Sequence, residues 1–509
     1  MRRLFEDNTL QLRPLRPRQA AAIEAIRKAV REGHRRIVLQ APTGFGKTLT
    51  AAHIIASAVA RGKRPMFTCP AITLVEQTLK AFEAEGINDI GVIQAQHERT
   101  DFDAQVQIAS VQTLIRRQLP EIDLVLIDEV HNKWDKFQER LDSEEFKDKV
   151  VIGLSATPWS KGMGLEWTKL IVAATIEELI AEKLLCHFII QCPPDRYEPD
   201  MSKVKTVKGD FEEAGSARVM SAKTLVANVV DTWLEKGTED RTFLFAVNRA
   251  HAQALRDEFE QRGVRCGYID AYTEDREEKV FKPFRNREFK IIASVGCLTT
   301  GVDEDVRCII DAAPTKSEIL HVQKIGRGLR MPHDGSPKTL LILDHAGNTL
   351  RLAQVTDIHH DHLDMRDPRA KGDAYSDEKP SHKPKKCRNC NMVIAPGKRS
   401  CPFCFHKIEE DHGVQTEPGE LVLFEGAAKK KKKPLKIHEL NQQDWYSGFL
   451  AIAEERGHST KWADHRFKEK FGEFPMRLRK EPKKPSVAVV AFDHHCRIKW
   501  AKGKALASQ

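Results

Sequence analysis

Ala41-Pro42-Thr43-Gly44-Phe45-Gly46-Lys47-Thr48 is the stretch from which the rest of the chain is read. The apolar run Ile37-Val38-Leu39 leads into it, and a helical pattern from Leu49 to Ala60 leads out. Strand, glycine turn and helix in that order form a phosphate cradle. Gly44 and Gly46 carry no Cβ, so the backbone N–H groups of the turn, from Thr43 through Phe45, can point inward around an anion. The helix start adds the positive end of its dipole. Lys47 can reach the β- and γ-phosphates of ATP, and the Thr48 hydroxyl can hold Mg2+. The general Walker pattern begins with Gly, whereas this chain has Ala41.

Upstream, Leu15-Arg16-Pro17-Arg18-Gln19 opens a helix running to about Arg31, with Ala22, Ile23, Ile26, Ala29 and Val30 on one face. The Gln19 amide offers both a donor and an acceptor, which suits an adenine edge. Downstream, Met66 to Pro70 and Gln105 to Ser110 read as strands. The near-continuous apolar strand Ile122 to Ile127 ends in Asp128-Glu129-Val130-His131. Buried parallel strands place their sites at such C-terminal ends. There Asp128 can hold Mg2+ through water and Glu129 can polarise an attacking water. Val151 to Leu154 is a further strand, ending in Ser155-Ala156-Thr157-Pro158.

A second series follows: strands Thr242–Val247, Lys290–Val295, Cys308–Ala312 and Leu340–Asp344, with a helix from Ala250 to Arg262. Alternating strands and helices imply a parallel sheet covered on both faces. This half has no P-loop. It has Arg327 and Arg330, three apart, which on a helix share a face and could stabilise charge on a γ-phosphate held by the first half.

Together these residues resemble superfamily 2 helicases over about residues 15–345. Leu15 to Gln19 is similar to the adenine-reading Q motif, and Ala41 to Thr48 to motif I, where Ala in first place is ordinary. Asp128 to His131 resembles motif II of the DEAH-like group, with Val where Ala or Cys is commoner. Ser155-Ala156-Thr157 resembles motif III and Thr300-Gly301-Val302-Asp303 motif V. Gln323-Lys324-Ile325-Gly326-Arg327-Gly328-Leu329-Arg330 matches motif VI. The resemblance implies two RecA-like domains, ATP between them and nucleic acid across both. It implies that Gly301 and Asp303 lie at the nucleotide, that Arg327 and Arg330 are arginine fingers, and that His131 and Gln323 couple the two halves. Pro70 to Gln77, Ser110 to Leu114 and the segment around Thr299 become candidate strand contacts. A closer likeness is to the bacterial and phage branch that includes RadD-type repair proteins, through Ile176 to Ile180 with the following Lys183-Leu184-Leu185, and through a cysteine ribbon after motif VI. That branch acts on DNA, so DNA is expected over RNA.

The length of 509 residues suggests about three domains. No apolar run reaches the roughly 18 residues a membrane span needs. The start Met1-Arg2-Arg3-Leu4-Phe5-Glu6-Asp7 turns acidic too early for a secretory signal. Eleven cysteines in so large a chain do not make a disulfide framework, and a reducing cytoplasm fits. Residues 361–509 hold 31 Lys and Arg against 21 Asp and Glu, while residues 1–360 hold 51 against 52. A basic appendage beside an ATP motor suggests a phosphate-rich polymer as partner.

Cys387-Arg388-Asn389-Cys390 and Cys401-Pro402-Phe403-Cys404 are two C-x-x-C knuckles, the pattern of a closed tetrahedral Zn2+ site. Lys385, Lys386, Lys398 and Arg399 lean that ribbon toward DNA, with partner docking or plain structure as alternatives. His359-His360-Asp361-His362 reads as a solvated turn rather than a metal site. Lys429 to Lys433 is a basic linker. Trp445, Phe449, Ile452, Trp462, Phe467 and Phe471 could supply a small helical core. Asp493-His494-His495-Cys496 spells the mark of membrane palmitoyltransferases, here by chance because no span accompanies it.

The expected architecture is α/β: two tandem RecA-like parallel-sheet domains (1–183 and 184–360), a linker (361–384), a zinc ribbon (385–408), a basic linker (409–435) and a small, mainly helical C-terminal domain (436–509). The expected activity is an ATP-dependent DNA helicase or translocase, with the C-terminal part open to replication or repair proteins. An ATP-switched nucleic-acid clamp and an RNA helicase are the alternatives.

Overall fold

The computed structural model describes residues 12–367, 384–408 and 441–496, apart from residues 96, 116, 133, 238–240, 300, 487–488, 491 and 494–495. Thr300, the Lys429 to Lys433 run and His494-His495 therefore lie outside the described residues. The chain forms two compact units, residues 1–413 and 414–509.

The first unit contains two parallel-sheet lobes. Lobe 1 is built from β1 (Arg36–Gln40), β2 (Pro65–Cys69), β3 (Ile90–Ile93), β4 (Val106–Ser110), β5 (Leu124–Asp128), β6 (Val150–Ser155) and β7 (Lys169–Val172). They lie in the order β3-β4-β2-β5-β6-β1-β7, every pair parallel. β1 to β4 are buried along their whole length, as strands covered by helices on both faces must be. The order makes β5, β6 and β1 neighbours. Their C-terminal ends therefore bring Asp128, Ser155 and the P-loop together, and Ala41 N–H donates to Ser155 O at 2.8 Å.

Lobe 2 begins with β8 (His187–Gln191), then a two-strand hairpin, β9 (Thr206–Val207) and β10 (Asp210–Phe211). It continues with β11 (Thr242–Phe245), β12 (Cys266–Ile269), β13 (Ile291–Ser294), β14 (Cys308–Asp311) and β15 (Thr339–Asp344). The sheet runs β12-β13-β11-β14-β15-β8, again parallel throughout. Ranked by chain order within each lobe, the two sheets share one sequence, 3-4-2-5-6-1, to which lobe 1 adds β7.

Two expectations need correction. Residues 361–367 are not a free linker. Leu363 is buried beside Met163 and Trp167 of lobe 1, and Gly164 N–H donates to Asp364 O at 2.7 Å. Before that, His360 rests against the Trp159 ring of lobe 1, with centroids 4.9 Å apart, and bonds Glu318 of lobe 2 at 2.8 Å. One apolar side chain in a polar stretch was enough to fasten it. Nor is Lys386 available to DNA. It is nearly buried against Asp195 and Glu198 of lobe 2 and donates to Pro193 O.

The ribbon strands β16 (Lys385–Lys386) and β17 (Val393–Ile394) form a short antiparallel pair. Met392 bridges Gln191, and Cys192 N–H donates to Asn391 O at 3.0 Å, so the ribbon continues the sheet edge at β8.

In the second unit, helices Gln442–Glu455 and Thr460–Phe471 pack around Tyr446, Phe449, Ile452 and Phe467. Trp445, Trp462 and Phe471 are partly buried against that core. Asp493 is fully buried between Arg456 and Arg466, which gives the first residue of the Asp-His-His-Cys string a structural role.

Candidate nucleotide site between the two lobes

The P-loop needs both of its glycines. Gly44 and Gly46 have φ of 73° and 90°, in the left-handed region. A Cβ on Gly44 would lie 2.6 Å from Leu185 Cδ2, and one on Gly46 would lie 2.5 Å from Gln19 Nε2. Gly46 ends the turn and the helix Lys47–Val59 starts at once. Lys47 Nζ lies 3.3 Å from Ala41 O, and Thr48 is exposed.

Gln19 is buried. Its amide nitrogen donates to Phe45 O at 2.9 Å, and its Oε1 accepts from Arg16 N–H at 2.9 Å. It thus braces the P-loop, and an adenine contact would require it to change partners. Beside it lies a cavity of about 270 Å³ lined by Arg16, Pro17, Arg18, Phe45, Leu179 and Glu182 among others.

Asp128 closes β5. Its burial in the cleft, reinforced by the Glu129 carboxylate, pushes its pKa up to about 7, while Lys47 and Arg327 pull the other way. Glu129 has φ of 48°, left-handed without being glycine, a strained state often found at functional sites. Its buried Oε2 has no hydrogen-bond partner and lies 3.4 Å from His131 Nδ1.

His131 sits between the lobes. Burial lowers its pKa, which favours the neutral ring. Gln323 Nε2 of lobe 2 donates to His131 Nε2 at 2.9 Å, which leaves the proton on Nδ1 to reach Ser155 Oγ at 2.8 Å.

Arg327 lies in the last turn of the arginine helix (Glu318–Leu329), but Arg330 does not share its helix face. Arg330 is the C-cap, with extended backbone at ψ 140°. Both still converge: Arg327 Nη1 and Arg330 Nη1 donate to Val302 O at 3.1 and 2.9 Å. Arg330 also reaches Asp303 Oδ1 at 2.6 Å and, across the cleft, Thr43 Oγ1 at 3.1 Å. Arg327 is buried, its Nε has no partner, and desolvation, then Arg330, brings its pKa down to about 10. A Cβ on Gly301, at φ 70°, would meet Leu74 Cδ2 of lobe 1 at 2.6 Å.

A phosphate chain with a divalent cation fits this arrangement. The cleft holds an unpartnered buried carboxylate oxygen from one lobe and an unpartnered guanidinium nitrogen from the other, beside a glycine cradle.

Comparison with known proteins agrees. Residues 13–160 match the family "Type III restriction enzyme, res subunit", and residues 223–332 match "Helicase conserved C-terminal domain". The chain belongs to superfamily 2 of the helicases. Its domains are those of an ATPase/helicase. The chain is 29% identical over 344 residues to the Saccharomyces cerevisiae protein called "Putative ATP-dependent helicase IRC3", covering 63% of this chain and 50% of that one, so the match spans about half the relative's length. It is 27% identical over 409 residues to a 51.5 kDa protein of a Lactococcus phage, covering 79% and 84%. A fragment structure described as a "putative HsdR subunit of a type I restriction enzyme" from Vibrio vulnificus YJ016 shares the fold. Its TM-score is 0.54 at 20% identity, over 70% of this chain and 71% of that one.

The chain also has a cluster that can hold a metal. Cys387, Cys390, Cys401 and Cys404 place their sulfurs within 4.8 Å of one another, the one such group among the described residues. Cys387 to Cys404 is 3.5 Å and Cys390 to Cys401 is 3.6 Å, close to the separation of about 3.8 Å implied by tetrahedral Zn–S bonds of about 2.3 Å. No helix among the described residues is long and apolar enough to cross a membrane.

Sequence reasoning missed Arg16, which donates to Phe45 O at 2.5 Å, and Leu179, which helps wall the cavity. The basic residue ahead of Gln19 was a signal for the first; Leu179 had none.

Proposed function

We propose that this protein is an ATP-dependent DNA helicase or translocase whose two lobes share one nucleotide. The observation that carries the reading is the pairing of groups across the cleft. His131 meets Gln323, Thr43 meets Arg330, and Glu129 and Arg327 each keep a buried polar atom without a partner. In this reading Lys47 and the backbone from Thr43 to Gly46 hold the phosphates, Thr48 and Asp128 hold Mg2+, Glu129 orients the attacking water, and Arg327 and Arg330 face the terminal phosphate. Gln19 borders the base, and Gly301 and Asp303 border the sugar side. The bound cation would neutralise charge developing on the phosphates. Lobe 2 reaches lobe 1 through Gln323 and the arginines, so loss of the terminal phosphate weakens closure and the cleft reopens. Alternating grip by the two lobes then becomes movement along a strand.

The four cysteines are assigned to Zn2+ on their paired spacing and sulfur separations. The likeness to RadD-type proteins and a cytoplasmic setting belong to the same reading. So does a preference for DNA over RNA, supported by a relative named as the EcoKI endonuclease subunit of a type I restriction enzyme in Escherichia coli, at 25% identity.

The test is ATPase activity across single-stranded, duplex and forked DNA and RNA, with strand displacement on the forks and Lys47→Ala as control. Stimulation by DNA with displacement supports the reading. Stronger stimulation by RNA would replace DNA, and ATPase without displacement of strands or blocks would leave a nucleic-acid clamp.

A further inference from the structure

The β9–β10 hairpin belongs to neither the nucleotide site nor the sheet of lobe 2. Its turn, Lys208-Gly209, has φ of 50° and 88°, the left-handed pair of a tight two-residue hairpin turn. Lys203, Lys205 and Lys208 are exposed and form no ion pair among the described residues, and Val207 is 49% exposed between them. The acids nearest in the chain lie toward the hairpin base, away from the Lys208 turn. Asp200 accepts from Ser202 N–H and faces Lys203, Asp210 is bonded at the hairpin base, and Glu212 N–H donates to Lys205 O at 2.8 Å, which sets Glu212 opposite Lys205.

The base of the hairpin is firmly anchored. Asp210 accepts from the Thr315 hydroxyl at 2.5 Å and from Lys316 N–H at 2.6 Å, while Lys316 Nζ donates to Thr206 Oγ1 at 2.5 Å. The Phe211 ring has Lys316 Nζ at 4.7 Å and the Arg351 guanidinium at 5.0 Å. Thr315 and Lys316 are the last residues before Ser317, the N-cap of the arginine helix, and Ser317 N–H itself donates to Thr315 Oγ1 at 3.0 Å.

From there a polar chain continues inward. Thr315 N–H donates to Asn348 Oδ1 at 2.9 Å, Asn348 Nδ2 to Asp311 Oδ2 at 2.8 Å, and Lys324 Nζ to Asp311 Oδ1 at 2.5 Å. Asp311 and Lys324 are both buried, and Lys324 lies on the arginine helix between Gln323 and Arg327. A buried ion pair adds little net stability but fixes geometry, because losing either partner strands a charge.

We propose that this hairpin is a nucleic-acid contact on lobe 2, gripping the phosphate backbone with Lys203, Lys205 and Lys208. Through Asp210, Thr315, Asn348 and Asp311 the grip bears on the arginine helix. The proposal rests on the protein being a nucleic-acid-stimulated ATPase. It extends that reading with a contact outside the helicase motifs and a route from the strand to the hydrolysis groups. A flexible loop with the same charges could bind a phosphate chain but could not load the helix start; this one is tied to it at three points.

The test uses the full chain with Lys203, Lys205 and Lys208 all changed to Ala, and DNA as the probe. The expected result is unchanged ATPase without DNA, a several-fold rise in the DNA concentration giving half-maximal stimulation, and a log-affinity against log-salt slope shallower by about 2–3. The triple change to Arg should restore wild-type behaviour. Asp210→Asn should lower maximal stimulation while leaving half-saturation in place. Wild-type protein that no nucleic acid stimulates would overturn the functional reading itself. Wild-type stimulation with an unaltered triple-Ala variant would overturn the hairpin contact alone. An Asp210→Asn variant that matches wild type, or that shifts half-saturation instead of the plateau, would overturn the route to the helix.

Discussion

The two lobes carry the same strand order yet do different things at the same place. In lobe 1, β1 runs into a turn with two left-handed glycines, and β7 lies alongside it as the edge of the sheet. In lobe 2 the equivalent strand, β8, runs into Cys192-Pro193-Pro194, and the cysteine ribbon occupies the edge through the Gln191–Met392 bridge. Two prolines have no N–H groups to offer a phosphate and cannot adopt the left-handed turn. Lobe 2 therefore keeps the scaffold without the cradle. It brings instead Gln323 from the middle of the arginine helix and Arg327 and Arg330 from its end rather than its start. A parallel sheet is not itself a nucleotide site; the turn chemistry after one strand decides it.

The sharpest way to break this comparison is Lys47→Ala. If only lobe 1 holds phosphate, turnover should fall at least about 100-fold with an unchanged melting temperature, read by phosphate release and calorimetry. Retained hydrolysis would move the site elsewhere. Arg327→Ala and Arg330→Ala ask whether lobe 2 contributes to chemistry. Each should cut kcat by about 10³ with ATP affinity changed far less, and equal losses in both would make these residues ordinary binding groups.

A smaller effect tests the ribbon as an edge of lobe 2. If the four cysteines hold Zn2+, Cys387→Ser should abolish its binding, measured by elemental analysis. It should lower the melting temperature by about 5–10 °C, as about 2–3 kcal/mol does for a domain of this size, with ATP affinity nearly intact. The smallest effect concerns Asp128. Its folded pKa of about 7 lies above the unfolded value, so the folded state holds the proton more tightly and stability falls as pH rises between about 4 and 7. In nucleotide-free, Mg2+-free buffer, Asp128→Asn should therefore melt a few degrees above wild type at pH 8, with the gap narrowing toward pH 5. A wild type more stable than the variant at pH 8 would mean that the neighbouring cations outweigh desolvation.

The sequence made the chemistry legible where spacing is local. The glycine turn, the acids ending β5 and the arginine pair each announce themselves within a few residues. It also showed the buried strands β1, β5, β6 and β11, because helices on both faces demand apolar runs. It did not show β7, whose residues are half-exposed at an edge, nor β12, where Gly267 and Tyr268 interrupt the run. The β9–β10 hairpin is too short and polar to show a period. Contacts between distant segments were illegible for another reason: nothing local to Met392 or Lys386 says that lobe 2 is waiting for them. Arg330 shows the limit of periodicity. Three-residue spacing suggested one helix face, but the helix ends before it, and a common acceptor, Val302 O, brings the two guanidiniums together.

The segment after Leu352 stays packed as far as His360: Ala353, Val355 and Ile358 are buried, and His360 bonds Glu318 of lobe 2 before Leu363 is fastened to lobe 1. That leaves a leash of about three residues, which can stretch no further than roughly 10–11 Å. In the proposed motor, any opening of the cleft wider than that must first release His360 from Glu318. Shortening that leash would trade step length for stiffness without touching a single group that meets ATP.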